Sequence, residues 1–182
     1  MPDNDAEKPF PPLLRTQIRR GFTAGQQYLA AAVYLDANRL PQLAKHCYGK
    51  AAEQHGHALR MVQYLLDRDL DVQVTGLDEI RSTFESPRAA IDFLLTTAQG
   101  RSTQISELAR AARESGDYLG ERFVQWFLKE QVEEVAKMTT LLTVLDRADG
   151  NLFDVEEFIA RELRTPHRVD NTTPRMAGAA KN

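Results

Sequence analysis

One cysteine, Cys47, in a chain of 182 residues excludes an intramolecular disulfide framework and fits a reducing compartment. Long apolar runs are missing too. No stretch approaches the roughly 18 consecutive apolar residues of a membrane-crossing helix, so no membrane partner is expected. Charge of one sign is scarce, with a formal net charge of -3, and no strong field draws nucleic acid. Met1 to Pro12 is polar and proline-rich and lacks the apolar centre of a secretory leader; cytoplasm is the expected location. The chain has no phosphate-cradling glycine loop, no Ser/His/Asp set, no basic patch and no heptad run.

The composition is that of a globular domain, 42% hydrophobic and 27% charged. Apolar residues recur at three- and four-residue steps, the helical period. Leu14, Ile18, Phe22, Leu29 and Ala32 mark a first helix over 13–40, and Leu43, Cys47, Ala51, Ala58, Met61 and Leu65 a second over 41–68, opened by Pro41. Residues 69–86 lose the period and form a connection too long for an ordinary helix–helix loop. Ser86 and Pro87 read as N-cap and first residue of a third helix ending near Gly116. A fourth helix fills 117–148, and a short fifth one lies between the Asp149-Gly150-Asn151 turn and Pro166. The predicted architecture is all-α: a four-helix bundle with a long crossover between its second and third helices, plus a short fifth helix. Residues 1–12 are expected to be a flexible arm, 13–163 the folded domain, and 164–182 a disordered tail.

The fourth helix poses the chemical question. Phe123, Phe127, Met138, Leu141 and Leu145 form its apolar stripe, yet Glu130, Gln131 and Glu134 fall in or beside that stripe. Buried carboxylates are costly unless paired or bound to a metal. On the second helix, Gln54 and His57 stand three residues apart beside Glu53. In di-iron carboxylate bundles two helices each give a Glu and two others Glu-x-x-His. Here that spacing is kept with Gln in place of Glu. Taken singly, each group has a plainer reading: His57 as a hydrogen-bonded seam residue, Glu130, Glu133 and Glu134 as a solvated face, Trp126 and Tyr28 as core.

Several stretches together resemble the bacterial non-haem ferritins, the actinobacterial type most of all. They are Phe22-Thr23-Ala24-Gly25-Gln26-Gln27-Tyr28, Leu40-Pro41-Gln42-Leu43-Ala44-Lys45-His46, Met61 to Leu70, Gln125 to Val135, and Asn151-Leu152-Phe153. The resemblance covers about 13–163. It implies a ferritin-like fold and a homo-oligomeric hollow shell of twenty-four subunits.

The resemblance also implies a set of iron-oxidising ligands, and three of them are replaced. Gly21 stands where the first helix gives Glu, Gln54 where the second gives the Glu of Glu-x-x-His, and Gly100 where the third gives Glu before Arg101. His57, Gln131 and Tyr28 are kept. Two iron ions held close together need several anionic oxygens, and His57 with Gln131 supplies none. Glu53, Glu130, Glu133 and Glu134 match an additional inner-surface iron site of bacterial ferritins. They bind iron there, or Lys129, Lys137 or water neutralises them. Met61 is the second helix's methionine and is read as core rather than as a haem ligand; no haem is expected.

The resulting expectation is an iron storage or sequestration cage subunit with a depleted di-iron ferroxidase centre and metal-site residues Glu53, His57, Glu130, Gln131, Glu133 and Glu134. It would assemble alone or with a ferroxidase-competent ferritin. Not being an enzyme is the leading reading; if catalytic, the reaction is oxidation of Fe(II) by O2. The alternatives are a weak ferroxidase at the residual carboxylates and a ferritin-fold shell without iron chemistry.

Overall fold

A computed structural model describes residues 9–163 and 170–179. Among them all regular structure is helical: α1 Phe10–Ala37, α2 Pro41–Asp67, α3 Pro87–Glu114, α4 Tyr118–Ala148 and α5 Leu152–Glu162. None of these helices is long and apolar enough to cross a membrane.

Local chemistry sets the ends. Pro11 and Pro12 open α1, Pro41 opens α2 and Pro87 opens α3, where a missing N–H costs nothing. The Ser86 hydroxyl accepts the Ala89 N–H at 3.0 Å, and the Asp117 carboxylate accepts that of Gly120 at 2.8 Å. Four helices end through a residue in the left-handed region, Arg39, Asp69, Gly116 and Asp149. After the first three the next N–H reaches back five residues, Leu40 to Leu35, Leu70 to Leu65 and Asp117 to Ala112.

The crossover lies along α1. Arg15 donates to the Asp71 carbonyl at 2.6 Å, Arg19 pairs with Asp78, Thr23 accepts the Asp78 N–H, and Gln27 both donates to and accepts from the Arg81 backbone at 2.7 and 2.9 Å. Positions 15, 19, 23 and 27 repeat every four residues and so form one stripe. The chain therefore returns from the start of α1 to its end. As a result α3 runs parallel to α2, and α4 runs parallel to α1.

Two apolar clusters fill the bundle. One joins Tyr28, Leu35, Leu43, Cys47, Ile91, Leu94, Met138 and Leu141 with Val155 and Ile159 of α5. The other joins Phe10, Leu14, Ile18, Met61, Leu65, Ile105, Leu108, Val124 and Phe127. Met61 sits in this second cluster, as a core residue of the subunit. Glu156 fastens α5 to the end of the bundle, its carboxylate accepting the Gln42 and Leu43 N–H groups at 2.7 and 2.9 Å. An anion at the exposed N–H groups of a helix start is favourable.

Both expected termini need correction where they are described. The arm expected over 1–12 is helical from Phe10, whose side chain is 0% exposed. A Cβ at Gly120 would lie 2.5 Å from the Phe10 ring, so the glycine makes the docking possible. The rest of the expected arm, 1–8, lies outside the described residues. The tail expected to be disordered over 164–182 is ordered over 170–179. There the Ala177 N–H reaches the Leu59 carbonyl at 3.1 Å, Arg60 donates to the Pro174 carbonyl, and Asp170 and Arg175 pair with Lys129 and Asp67. These contacts are hydrogen bonds and ion pairs, joined by Ala177 packing against the second apolar cluster. Residues 164–169 and 180–182 lie outside the description.

Candidate metal centre

Between the two apolar clusters the bundle is polar. Its centre is Glu134 on α4, 1% exposed. The carboxylate accepts from Tyr28 of α1 at 2.6 Å, from the Gln54 amide of α2 at 2.7 Å, and from the Arg101 guanidinium of α3. One side chain from each long helix thus meets at a single carboxylate. Burial pushes the Glu134 carboxyl up, but Arg101, the Tyr28 hydroxyl, Lys50 and His57 outweigh it, and the net displacement is below the ordinary glutamate value. Burial raises the Tyr28 hydroxyl well above its ordinary value, and the neighbouring Glu134 charge adds to the effect. The phenol stays protonated and remains a donor. Arg101 also lies over the Tyr28 ring, 5.7 Å from its centroid.

Beside this knot lies a second group. Glu53 and His57 of α2 and Glu130 of α4 each offer one donor atom, and the three atoms lie within 4.8 Å of one another. His57 Nε2 is 4.0 Å from Glu130 Oε2, about the span of one ion bonded to both donors at roughly 2.1 Å. Burial lowers the His57 imidazole to about 4, against the opposing pull of Glu53 and Glu134. It is therefore neutral near pH 7, with a lone pair for a metal. Trp126 and Phe127 hold the ring edge-on, with centroids at 5.2 and 5.7 Å. Burial raises the Glu130 carboxyl, and the charges of Glu53 and Glu133 raise it further, as happens when carboxylates crowd without a cation between them. Two carboxylates and a neutral imidazole suit a divalent ion that takes O and N donors, such as Fe(II).

The remaining expected residues fall elsewhere. Glu133 is exposed, one side of the helix away from the buried stripe. Glu134 is committed to Arg101, so the four-carboxylate cluster of Glu53, Glu130, Glu133 and Glu134 is not gathered at one point. Gln131 is buried and meets the Ser102 hydroxyl at 3.5 Å. Gly21 and Gly100 differ in kind. A Cβ at Gly21 would lie 3.1 Å from that of Ala58, so this glycine lets α1 and α2 pack closely. A Cβ at Gly100 meets nothing within 4 Å, and packing gives no reason for its loss.

Two participants escape sequence reasoning as site residues. Arg101 enters it only as the neighbour of Gly100. Lys50 does not enter it at all, although it is 7% exposed and donates to both Glu53 oxygens at 2.8 and 2.9 Å. The signal for Lys50 is its place three residues before Glu53 on the same face. Lys129 pairs with Asp170, and its charge also pulls the Glu130 carboxyl down. His46, placed at sequence level off the seam as a solvent or interface residue, has its Nε2 sealed from solvent, and burial with the charge of Lys50 lowers it to about 4. Cys47 is fully buried, which pushes its thiol up to about 12 and makes it inert.

Four long helices with a long second-to-third crossover, a short fifth helix and a carboxylate–imidazole layer at mid-bundle define the ferritin-like class. Residues 12–148 match the ferritin family as a ferritin-like domain, and the chain belongs to that family. It is 53% identical over 171 residues to ferritin BfrB of Mycolicibacterium smegmatis, covering 94% of each chain. It is 28% identical over 134 residues to a bacterial non-heme ferritin of Staphylococcus aureus, covering 74% of this chain and 81% of that one. Among solved structures, an open pore ferritin from the hyperthermophilic archaeon Archaeoglobus fulgidus superposes with a TM-score of 0.79 at 25% identity, over 84% of this chain and 97% of that one.

Proposed function

We propose that this chain is an iron storage or sequestration subunit of a ferritin cage that lacks a working di-iron ferroxidase centre. One observation carries the reading: the Glu134 carboxylate is engaged by Gln54, Arg101 and Tyr28, leaving a single three-donor group, Glu53, His57 and Glu130, among the described residues. That group has room for one ion. A second iron beside it would meet Gly21, Gln54, Gly100 and Gln131, none of which is anionic. Fe(II) is therefore cargo held by interior carboxylates rather than a substrate oxidised in pairs.

The cage has twenty-four subunits, all of this chain or mixed with a ferroxidase-competent ferritin. A second reading, slow Fe(II) oxidation by O2 at the residual site, is favoured by the same three-donor group. The test is aerobic addition of Fe(II) to the purified protein, following oxidation and then iron retained per cage. Slow oxidation with retained iron is expected. A fast phase at stoichiometric iron overturns the non-catalytic reading. Absence of retained iron, with or without a competent ferritin present, leaves only a shell. Native mass spectrometry reads the assembly, and a stable monomer contradicts it.

A further inference from the structure

We propose that Lys50 is a tethered counter-cation that competes with the metal at Glu53 and so sets the affinity of the Glu53–His57–Glu130 site for divalent ions. This rests on the reading of that triad as an ion site. The Lys50 ammonium lies 2.8 and 2.9 Å from the two Glu53 oxygens, so an ion that takes either oxygen meets a cation already bonded to it. Its side chain is only 8% exposed, against 36% for that of Glu53. The pair is therefore not the loose surface contact that solvent screens to near nothing.

Charge counting makes the two cations exclusive. Glu53 and Glu130 bring two carboxylates to the group. With Lys50 in place the group is left with one uncompensated negative charge. A divalent ion alone neutralises the two carboxylates. Both cations together leave an excess positive charge in a half-buried pocket, which is expensive in a low-dielectric surrounding. A divalent ion must therefore turn the ammonium away from Glu53 before it can use that carboxylate. The arrangement keeps the bundle nearly charge-balanced without metal and makes its hold on metal weak and reversible.

The experiment uses the full-chain assembled protein and Co(II), titrated anaerobically and followed by its visible ligand-field absorption. Lys50→Met keeps the buried stem and removes the charge, while Lys50→Arg keeps a cation. Loss of two charge-assisted hydrogen bonds that compete with the ion predicts Co(II) binding about ten- to a hundredfold tighter in Lys50→Met than in the parent. Lys50→Arg should not tighten it. Adding His57→Ala to Lys50→Met should abolish the gain, placing it at the triad. If Lys50→Met does not assemble, Lys50→Gln replaces it with the same expectation. Equal affinity in the parent and the neutral variant, with His57→Ala abolishing both, overturns the role of Lys50 and leaves the ion site standing. No His57-dependent Co(II) binding in any variant overturns the site, and the role of Lys50 falls with it.

Discussion

The Gln54 side-chain amide donates to the Glu134 carboxylate at 2.7 Å, between two side chains that are 2% and 1% exposed. At the position where the resemblance implies a ligand Glu, Gln54 therefore supplies a donor to another carboxylate. Gln54→Glu would reverse this and set two buried acids against each other. The metal-free variant is expected to lose about 3 kcal/mol at pH 8, in the range for an uncompensated buried charge. The loss should shrink at pH 5, where the introduced carboxyl, once protonated, can donate in place of the amide. Denaturant unfolding at the two pH values in the presence of a chelator checks this. A variant as stable as the parent at pH 8 would mean that the Gln54–Glu134 bond carries no weight.

Arg101 is the cation that permits an ionised Glu134 in the core. Arg101→Met leaves that carboxylate buried with only the Tyr28 and Gln54 donors. A loss of about 3–5 kcal/mol is expected, and Arg101→Lys should lose less because the charge remains. The sign of the pH dependence follows from the direction of the shift. The folded Glu134 carboxyl lies below its ordinary 4.5, so its contribution is present above that value and is lost as pH falls through the depressed one. In Arg101→Met burial is no longer offset, the folded value rises, and stability should instead improve on acidification into the carboxylate range. Stability curves from pH 3 to 8 that run parallel for parent and variant would contradict the pairing.

His57 and His46 act in the same direction as Glu134 in the parent protein. Both imidazoles are lowered from 6.5 to about 4 by burial. The native state therefore binds fewer protons than the unfolded chain between those values. The contribution of each histidine is fully present above pH 6.5 and is lost as pH falls toward 4, by an amount on the order of 3 kcal/mol each at the acid end. The measurement is the ring-carbon proton shift of each histidine by NMR. The His57 and His46 resonances should stay flat down to about pH 5. A midpoint near 6.5 for His57 would show that the imidazole is solvated and would weaken its case as a sealed metal ligand.

Local chemistry wrote most helix ends into the sequence. Pro41, Ser86 with Pro87, and Asp149-Gly150-Asn151 each act within a few residues of where they stand, and the structure breaks there. What escaped was non-local. Phe10 looked like part of a polar arm because its partner, Gly120, lies on another helix. Glu156 does not enter the sequence reading, because the Gln42 N–H it caps lies 114 residues earlier. The candidate site divided along the same line. The neighbourhood of Glu53, His57 and Glu130 was legible from spacing and resemblance. The fate of Glu134 was not, since it depends on Arg101, 33 residues away, and nothing in a charged residue announces which carboxylate it will face. Lys50 was missed for the same reason, despite standing one turn from its partner.

Restoring carboxylates at positions 21, 54 and 100 together tests the ligand mapping as a whole. The three positions are not equally permissive. Position 100 is open, and a glutamate there meets no obstacle. Position 21 requires Ala58 to yield by a few tenths of an ångström, so Ala58→Gly is paired with Gly21→Glu to keep the two helices in place. Position 54 turns a donor to Glu134 into a repelling charge, which near neutral pH a bound cation relieves. Replacing two glycines should return roughly 0.5 kcal/mol each in helix propensity, and Ala58→Gly costs about 0.8–1 kcal/mol, so propensity does not offset the charge repulsion introduced. The variant is therefore expected to be less stable than the parent without metal, to be stabilised by divalent ions, and to oxidise Fe(II) rapidly in air. The checks are thermal unfolding with and without Co(II), assembly by native mass spectrometry, and oxidation kinetics at two Fe(II) per subunit. An assembled variant that remains inert toward Fe(II) would show that these three positions do not converge on one centre.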